Sequence, residues 1–294
     1  MLTFLSIAIP LLASVVSASQ QPAPLKVGVT LHPYYSWTAN VVAGTNVEVR
    51  PILPGEVDAG SYQPRPEDIA KLADLDALVV NGIGHDDFIR GMVEASGNTH
   101  LTWIRPNESV PLLRAAHGEG VNSHTFLSFT NAIQQTYAIQ RALAELRPEL
   151  AETFRKNAGA YVRRLRADKA RAAQALVEAK VNRVVTVHDG YAYLMQEFGI
   201  EIADVVEPAH GLVPSAVELQ TMIERIRKEG IRVVFSEESF PAALLGTLRE
   251  ETEARVYVIQ HVASGAYTPD KFEREMQANV DAMVQALVKD PSGS

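Results

Sequence analysis

Apolar positions along this chain follow two periods. Short, nearly continuous apolar runs recur: Leu25 to Leu31, Val47 to Leu53, Ala77 to Gly82 and Leu101 to Ile104. Bounded by glycine, proline or histidine, they predict buried strands, with helical segments such as Pro66 to Leu72 between them. Asn131 to Leu146 predicts a helix, Asn131 and Gln134 having the spacing of a capping box. From Glu149 to Lys180 no proline occurs, and Leu150, Phe154, Ala158, Tyr161, Leu165, Ala172 and Leu176 form one apolar stripe. Arg155, Lys156, Arg163, Arg164, Arg166, Lys169 and Arg171 fall opposite and read as a solvated face. About 30 helical residues would span about 45 Å, too long for one small domain and suited to a spine between two.

Beyond that segment the alternation restarts. Strands are predicted at Arg183 to Val187, Ile200 to Val206, Ile231 to Phe235 and Arg255 to Ile259, with a helix over Ala192 to Phe198. Ser215 and Glu218 form a capping box before Leu219, Met222, Ile223 and Ile226. Thr268 is expected to cap a last helix with Pro269 at its first position. The predicted fold is α/β, with two lobes, each a parallel sheet covered by helices, joined by one long spine helix. The expected boundaries are a leader over 1–18, lobes over 19–146 and 181–294, and the spine over 147–180.

Composition narrows the chemistry. The chain has 294 residues, a net charge of −8 and no cysteine. Thiolate zinc sites, iron–sulfur clusters and cysteine nucleophiles are excluded, and the acidic balance argues against nucleic acid as a partner. Met1 to Ala18 is apolar and uncharged apart from its amino terminus, and Val16-Ser17-Ala18 resembles a secretory cleavage site. The expectation is an exported, soluble periplasmic protein with no cysteine to carry a lipid. Enzyme motifs are thin. Gly82-Ile83-Gly84 lacks the third glycine of a dinucleotide loop, and neighbours such as Asp86-Asp87 and Glu237-Glu238 diverge on any regular element.

The histidines are more informative. His32, His85, His188 and His261 each fall at or just beyond the carboxyl end of a predicted strand, and His124 precedes the helix at Asn131. Ligands of open α/β sheets bind outside the carboxyl ends of the strands, so two facing sheets would gather these imidazoles in one interdomain cleft. Three or four converging imidazoles make a tetrahedral, zinc-type site. His100, His117 and His210 lie in polar loops and read as structural.

Four motifs in fixed order carry a resemblance. They are Asp58-Ala59-Gly60-Ser61-Tyr62-Gln63-Pro64, Asn122-Ser123-His124-Thr125-Phe126-Leu127-Ser128, His188-Asp189-Gly190-Tyr191-Ala192-Tyr193 and Phe235-Ser236-Glu237-Glu238. Together they resemble the cluster A-I solute-binding proteins of ABC transporters, the zinc- and manganese-binding family, over almost the whole chain after the leader. The resemblance implies two α/β lobes on a rigid spine helix, a metal cleft between them, and a membrane permease as partner. It assigns the second ligand to His124 and the third to His188; zinc members carry histidine at the third position and manganese members glutamate. The position of the first ligand is Gly60, which has no side chain to offer, and the fourth falls near Gln260, beside His261.

The expected metal residues are therefore His85, His124, His188, His261 and Glu237. His85 replaces the missing first ligand, His261 or Glu237 supplies the fourth, and His32 is a further substitute. Zinc is the expected ion, with manganese or another divalent transition metal open, and the protein is expected to be a monomer without enzymatic activity. Two other readings stay open: a binder of a metal chelate or haem on the same architecture, and a metal-dependent hydrolase using the cleft with Glu237 as base. Metal binding requires deprotonated imidazoles, so affinity should fall as pH drops towards about 6.

Overall fold

The computed structural model describes residues 23–57, 59–116, 120–207 and 212–289. The expected leader, Asp58, His117 and His210 lie outside the described residues.

In the first half, β1 (Lys26–Val29), β2 (Glu48–Pro51), β3 (Ala77–Val79) and β4 (Thr102–Ile104) form a parallel sheet of order β2-β1-β3-β4. Helices α1 (His32–Val41), α2 (Pro66–Ala70) and α3 (Phe88–Ser96) connect them. Val27 and Val29 are fully buried on β1. Between them Gly28 is required by packing, since a Cβ there would stand 2.5 Å from Leu75 Cδ1 and 2.8 Å from Leu78 Cδ1.

Next come α4 (Phe129–Leu146) and α5 (Ala151–Leu176), the expected long helix. Its buried face is Phe154, Ala158, Tyr161, Val162, Leu165, Ala172 and Leu176, matching the apolar stripe. It is 26 residues long, about 39 Å, because a separate 3-10 turn at Pro148–Leu150 precedes it. The cap of α4 also differs from expectation. The helix begins at Phe129, with the Ser128 side chain accepting from Asn131 N–H at 3.2 Å. The Glu197 carboxylate, from another element, accepts from Phe129 and Thr130 N–H at 2.8 and 2.9 Å.

The second half repeats the plan. Strands β5 (Arg183–Thr186), β6 (Glu201–Val205), β7 (Val233–Ser236) and β8 (Arg255–Val258) form a parallel sheet of order β6-β5-β7-β8. Helices α6 (Ala192–Glu197), α7 (Ala216–Glu229) and α8 (Ala242–Glu251) join them, and the expected capping box at Ser215 and Glu218 opens α7. The last helix, α9 (Lys271–Val284), starts later than expected: Thr268 hydrogen-bonds Asp270, its carbonyl accepts from Lys271 N–H, and Asp270 holds the cap position.

Helix α9 crosses back onto the first half. Phe272 meets Trp37 edge-on at 5.3 Å, and Tyr161 donates to Glu273 at 2.8 Å. One apolar core consequently runs through both halves, while a second lies around α7 and α8. No described helix is long and apolar enough to cross a membrane. Strand order reverses between β1 and β3 and again between β5 and β7, so each sheet has its binding crevice at the carboxyl ends of those strands.

Candidate metal centre

Four imidazoles occupy that position. His85, His124, His188 and His261 are 5, 7, 3 and 9% exposed, so a cluster of polar rings has been withdrawn from water. The tightest group is His124, His188 and His261, each offering a ring nitrogen within 4.8 Å of the others. Their ring centres are 4.7 Å (124–188), 5.0 Å (124–261) and 5.1 Å (188–261) apart. His85 packs beside them, 4.9 Å from His124 and 5.9 Å from His261. With metal–nitrogen bonds of about 2.0 Å, imidazole centres in a tetrahedral site stand about 5.2 Å apart. The rings already have the spacing that a single ion requires.

Backbone and second-layer groups set each ring. Beyond β3 the chain passes through Gly82 and Gly84, both at positive φ (69° and 119°), a turn that most side chains disfavour. Asp86 holds this turn, accepting from Asn81 and Gly82 N–H at 2.7 and 2.8 Å and from Thr30 Oγ1 at 2.6 Å; burial nevertheless pushes its carboxyl pKa up. Asn81 donates to the Ser123 carbonyl at 2.9 Å, joining the His85 turn to the His124 segment.

His124 Nδ1 faces Asn122 Oδ1 at 3.0 Å, and the His124 backbone N–H donates to the same oxygen at 2.9 Å. A backbone N–H is only a donor, so this atom is the amide oxygen, and His124 must donate from Nδ1. Across the cleft, His188 Nδ1 faces Glu207 Oε2 at 3.1 Å, which likewise makes Nδ1 the donor. Both rings then turn Nε2 towards each other, 3.0 Å apart. With Nδ1 engaged in each ring, both Nε2 atoms are the nitrogens that a single cation could take as ligands.

Beyond β8, Gln260 is tied through its backbone to Asn279, which accepts from its N–H at 2.5 Å and donates to its carbonyl at 2.8 Å. His261 follows and turns inward. Val262, next along, has a φ of 60°, a left-handed conformation that costs a β-branched residue about 1–3 kcal/mol. The strain sits immediately after His261.

Two of the other expected residues are engaged elsewhere. Glu237 accepts from the Tyr191 hydroxyl at 2.9 Å. His32 is not among the clustered rings: it is the first residue of α1, stacked on Tyr267 with centres 3.8 Å apart and hydrogen-bonded to the Gly265 carbonyl at 2.9 Å. His32 thereby fastens the segment after His261 to the first half. Gly60 lies exposed in a 3-10 turn, Ala59–Ser61. Sequence reasoning did not single out Asn122, Glu207 or Gly190, the groups that set the ring orientations. The available signal was positional, since Glu207 follows β6, the strand beside the one that leads into His188.

Two parallel α/β units, a long helix between them and buried donors at the facing strand ends define the class of two-lobed solute-binding proteins. The chain belongs to the family described as zinc-uptake complex component A, periplasmic, whose model matches residues 27–286. FpvC of Pseudomonas aeruginosa, solved in complex with Mn2+, is 40% identical, superposes with a TM-score of 0.86, and is aligned over 90% of this chain and 99% of FpvC. A crystal structure of ZnuA shares the fold at 22% identity, with a TM-score of 0.78 over 90% of this chain and 99% of that one. The zinc-binding lipoprotein AdcA of Streptococcus pneumoniae is 26% identical over 83% of this chain and 51% of its own length. The chain thus spans about half the length of the AdcA relatives it matches.

Proposed function

We propose that this protein captures one divalent transition-metal ion, zinc by its donor set, and delivers it to the membrane permease of an ABC transporter. It would act as a monomeric, exported binding protein without catalytic activity, its lobes at 19–146 and 181–294 joined by the 147–180 spine. His124, His188 and His261 hold the ion and His85 completes a tetrahedron. The observation that carries this reading is the pair of Nε2 atoms 3.0 Å apart, each in a ring whose Nδ1 donates to an oxygen. Imidazole suits zinc, nickel and copper better than manganese, which prefers oxygen donors. The FpvC structures, with Mn2+ in one and Ni2+ in another, support a divalent ion as the cargo of this architecture. Ring centres only 4.7–5.9 Å apart leave room for an ion but not for a chelate or haem among them.

Helix α9 and α5 brace both halves, which favours modest lobe movement over a wide hinge. The test is elemental analysis of protein purified without added metal, followed by zinc titration against a competing chelator. Binding of one ion per chain, abolished in His124→Ala and His188→Ala, is expected; unchanged affinity in both variants would overturn the site.

A further inference from the structure

The ladder between β5 and β6 runs past the end of both strands. Val206 N–H donates to the Thr186 carbonyl and Glu207 N–H to the Val187 carbonyl, each at 2.9 Å. A register shift at Val184/Val185 precedes these bonds and bears on which residue after β6 arrives beside His188. That residue is Glu207, partly buried, with Oε2 3.1 Å from His188 Nδ1.

Other acids near the cluster have different occupations. Asp86 binds Thr30 and the 81–82 backbone, Asp189 Oδ2 accepts from Ala116 N–H at 2.8 Å, and Glu237 accepts from Tyr191. The two facing rings are thereby unequal. His124 rests on a neutral amide, whereas His188 rests on a carboxylate. Four neutral imidazoles around a divalent ion leave its full charge in a buried site, and a carboxylate on the far nitrogen of one ligand offsets that charge while raising the basicity of the ligand.

Resting on the metal-site reading above, we propose that Glu207 is the positioning residue of the centre: it fixes His188 as the Nδ1–H tautomer, aims Nε2 at the ion and sets the affinity. It is not itself a ligand. The experiment compares Glu207→Ala and Glu207→Gln with the wild type, using zinc affinity by chelator competition and the ring 15N shifts of His188 in metal-free protein. Glu207→Ala should bind zinc about 10–100-fold more weakly and show loss of the Nδ1–H tautomer. In Glu207→Gln an amide oxygen still accepts from Nδ1, so the tautomer should persist and the affinity fall between the two, separating orientation from charge. Thermal unfolding of both variants without metal confirms that they are folded. Affinity within twofold of wild type in Glu207→Ala, or a weakened variant with an unchanged His188 tautomer, overturns the proposal. Failure of the wild type to bind zinc at all would instead overturn the metal-site reading.

Discussion

Gly190 lies against the two imidazoles that approach each other most closely. A Cβ added there would stand 2.7 Å from His188 Cδ2, 3.0 Å from His188 Nε2 and 3.2 Å from His124 Cδ2. Carbon atoms in ordinary contact are about 3.5 Å apart, so Gly190→Ala must drive the His188 ring back by about 0.8 Å. Metal–ligand distances tolerate only about 0.2 Å, and a misplaced ligand costs about 10–100-fold in affinity, or about 1.4–2.8 kcal/mol. The clash is with side chains and not with backbone, so the metal-free fold should survive. Zinc at a thousand times the wild-type Kd stabilises the wild type by about 4.1 kcal/mol; a hundredfold weaker variant would gain about 1.4 kcal/mol. Thermal unfolding with and without zinc, beside a chelator competition, reads this difference. A Gly190→Ala protein that binds within twofold of wild type would refute the claim that ring spacing at this point limits the site.

Further outcomes follow from the same geometry. His85→Ala should weaken zinc binding less than His124→Ala or His188→Ala, because its loss leaves the tightest nitrogen trio intact and water can take the fourth position; equal losses in all three variants would contradict that ranking. Glu197 is fixed by two N–H groups of α4 and by Lys169 at 3.1 Å, so Glu197→Ala should destabilise the protein by about 2–3 kcal/mol in urea unfolding. Burial raises the Asp68 carboxyl, but hydrogen bonds from Lys71 and Tyr62 outweigh it and hold the group below its usual pKa. Its ionised form therefore stabilises the fold above about pH 4, and the contribution is lost as pH falls through the lower folded value. Asp68→Asn should flatten the acid limb of urea midpoints measured between about pH 3 and 7; an unchanged limb would contradict the assignment.

The architecture was largely legible because burial on both faces leaves strands as plain apolar runs. All eight predicted strands occur, each within three residues of its expected ends. Caps were harder to read where partners come from distant sequence. The N-terminus of α4 is closed by Glu197, 67 residues away from Thr130, and local spacing at Asn131 and Gln134 has no access to that. In the site, His85, His188 and His261 were legible as strand-end histidines and His124 as the histidine before α4. His32 met the same criterion and lies outside the cluster, at the head of α1 with its ring stacked on Tyr267. Asn122 and Gly190 stood in the quoted motifs without a role, and Glu207 went unremarked, because what they do is a matter of distances of about 3 Å to the rings, which pattern and composition do not encode.

X-ray absorption at the zinc edge of the stoichiometric complex tests the central claim most directly. The account predicts a shell of nitrogen at about 2.0–2.1 Å with the outer-shell scattering of three to four imidazoles, which diminishes in His188→Ala. An oxygen-dominated shell without imidazole scattering would contradict it.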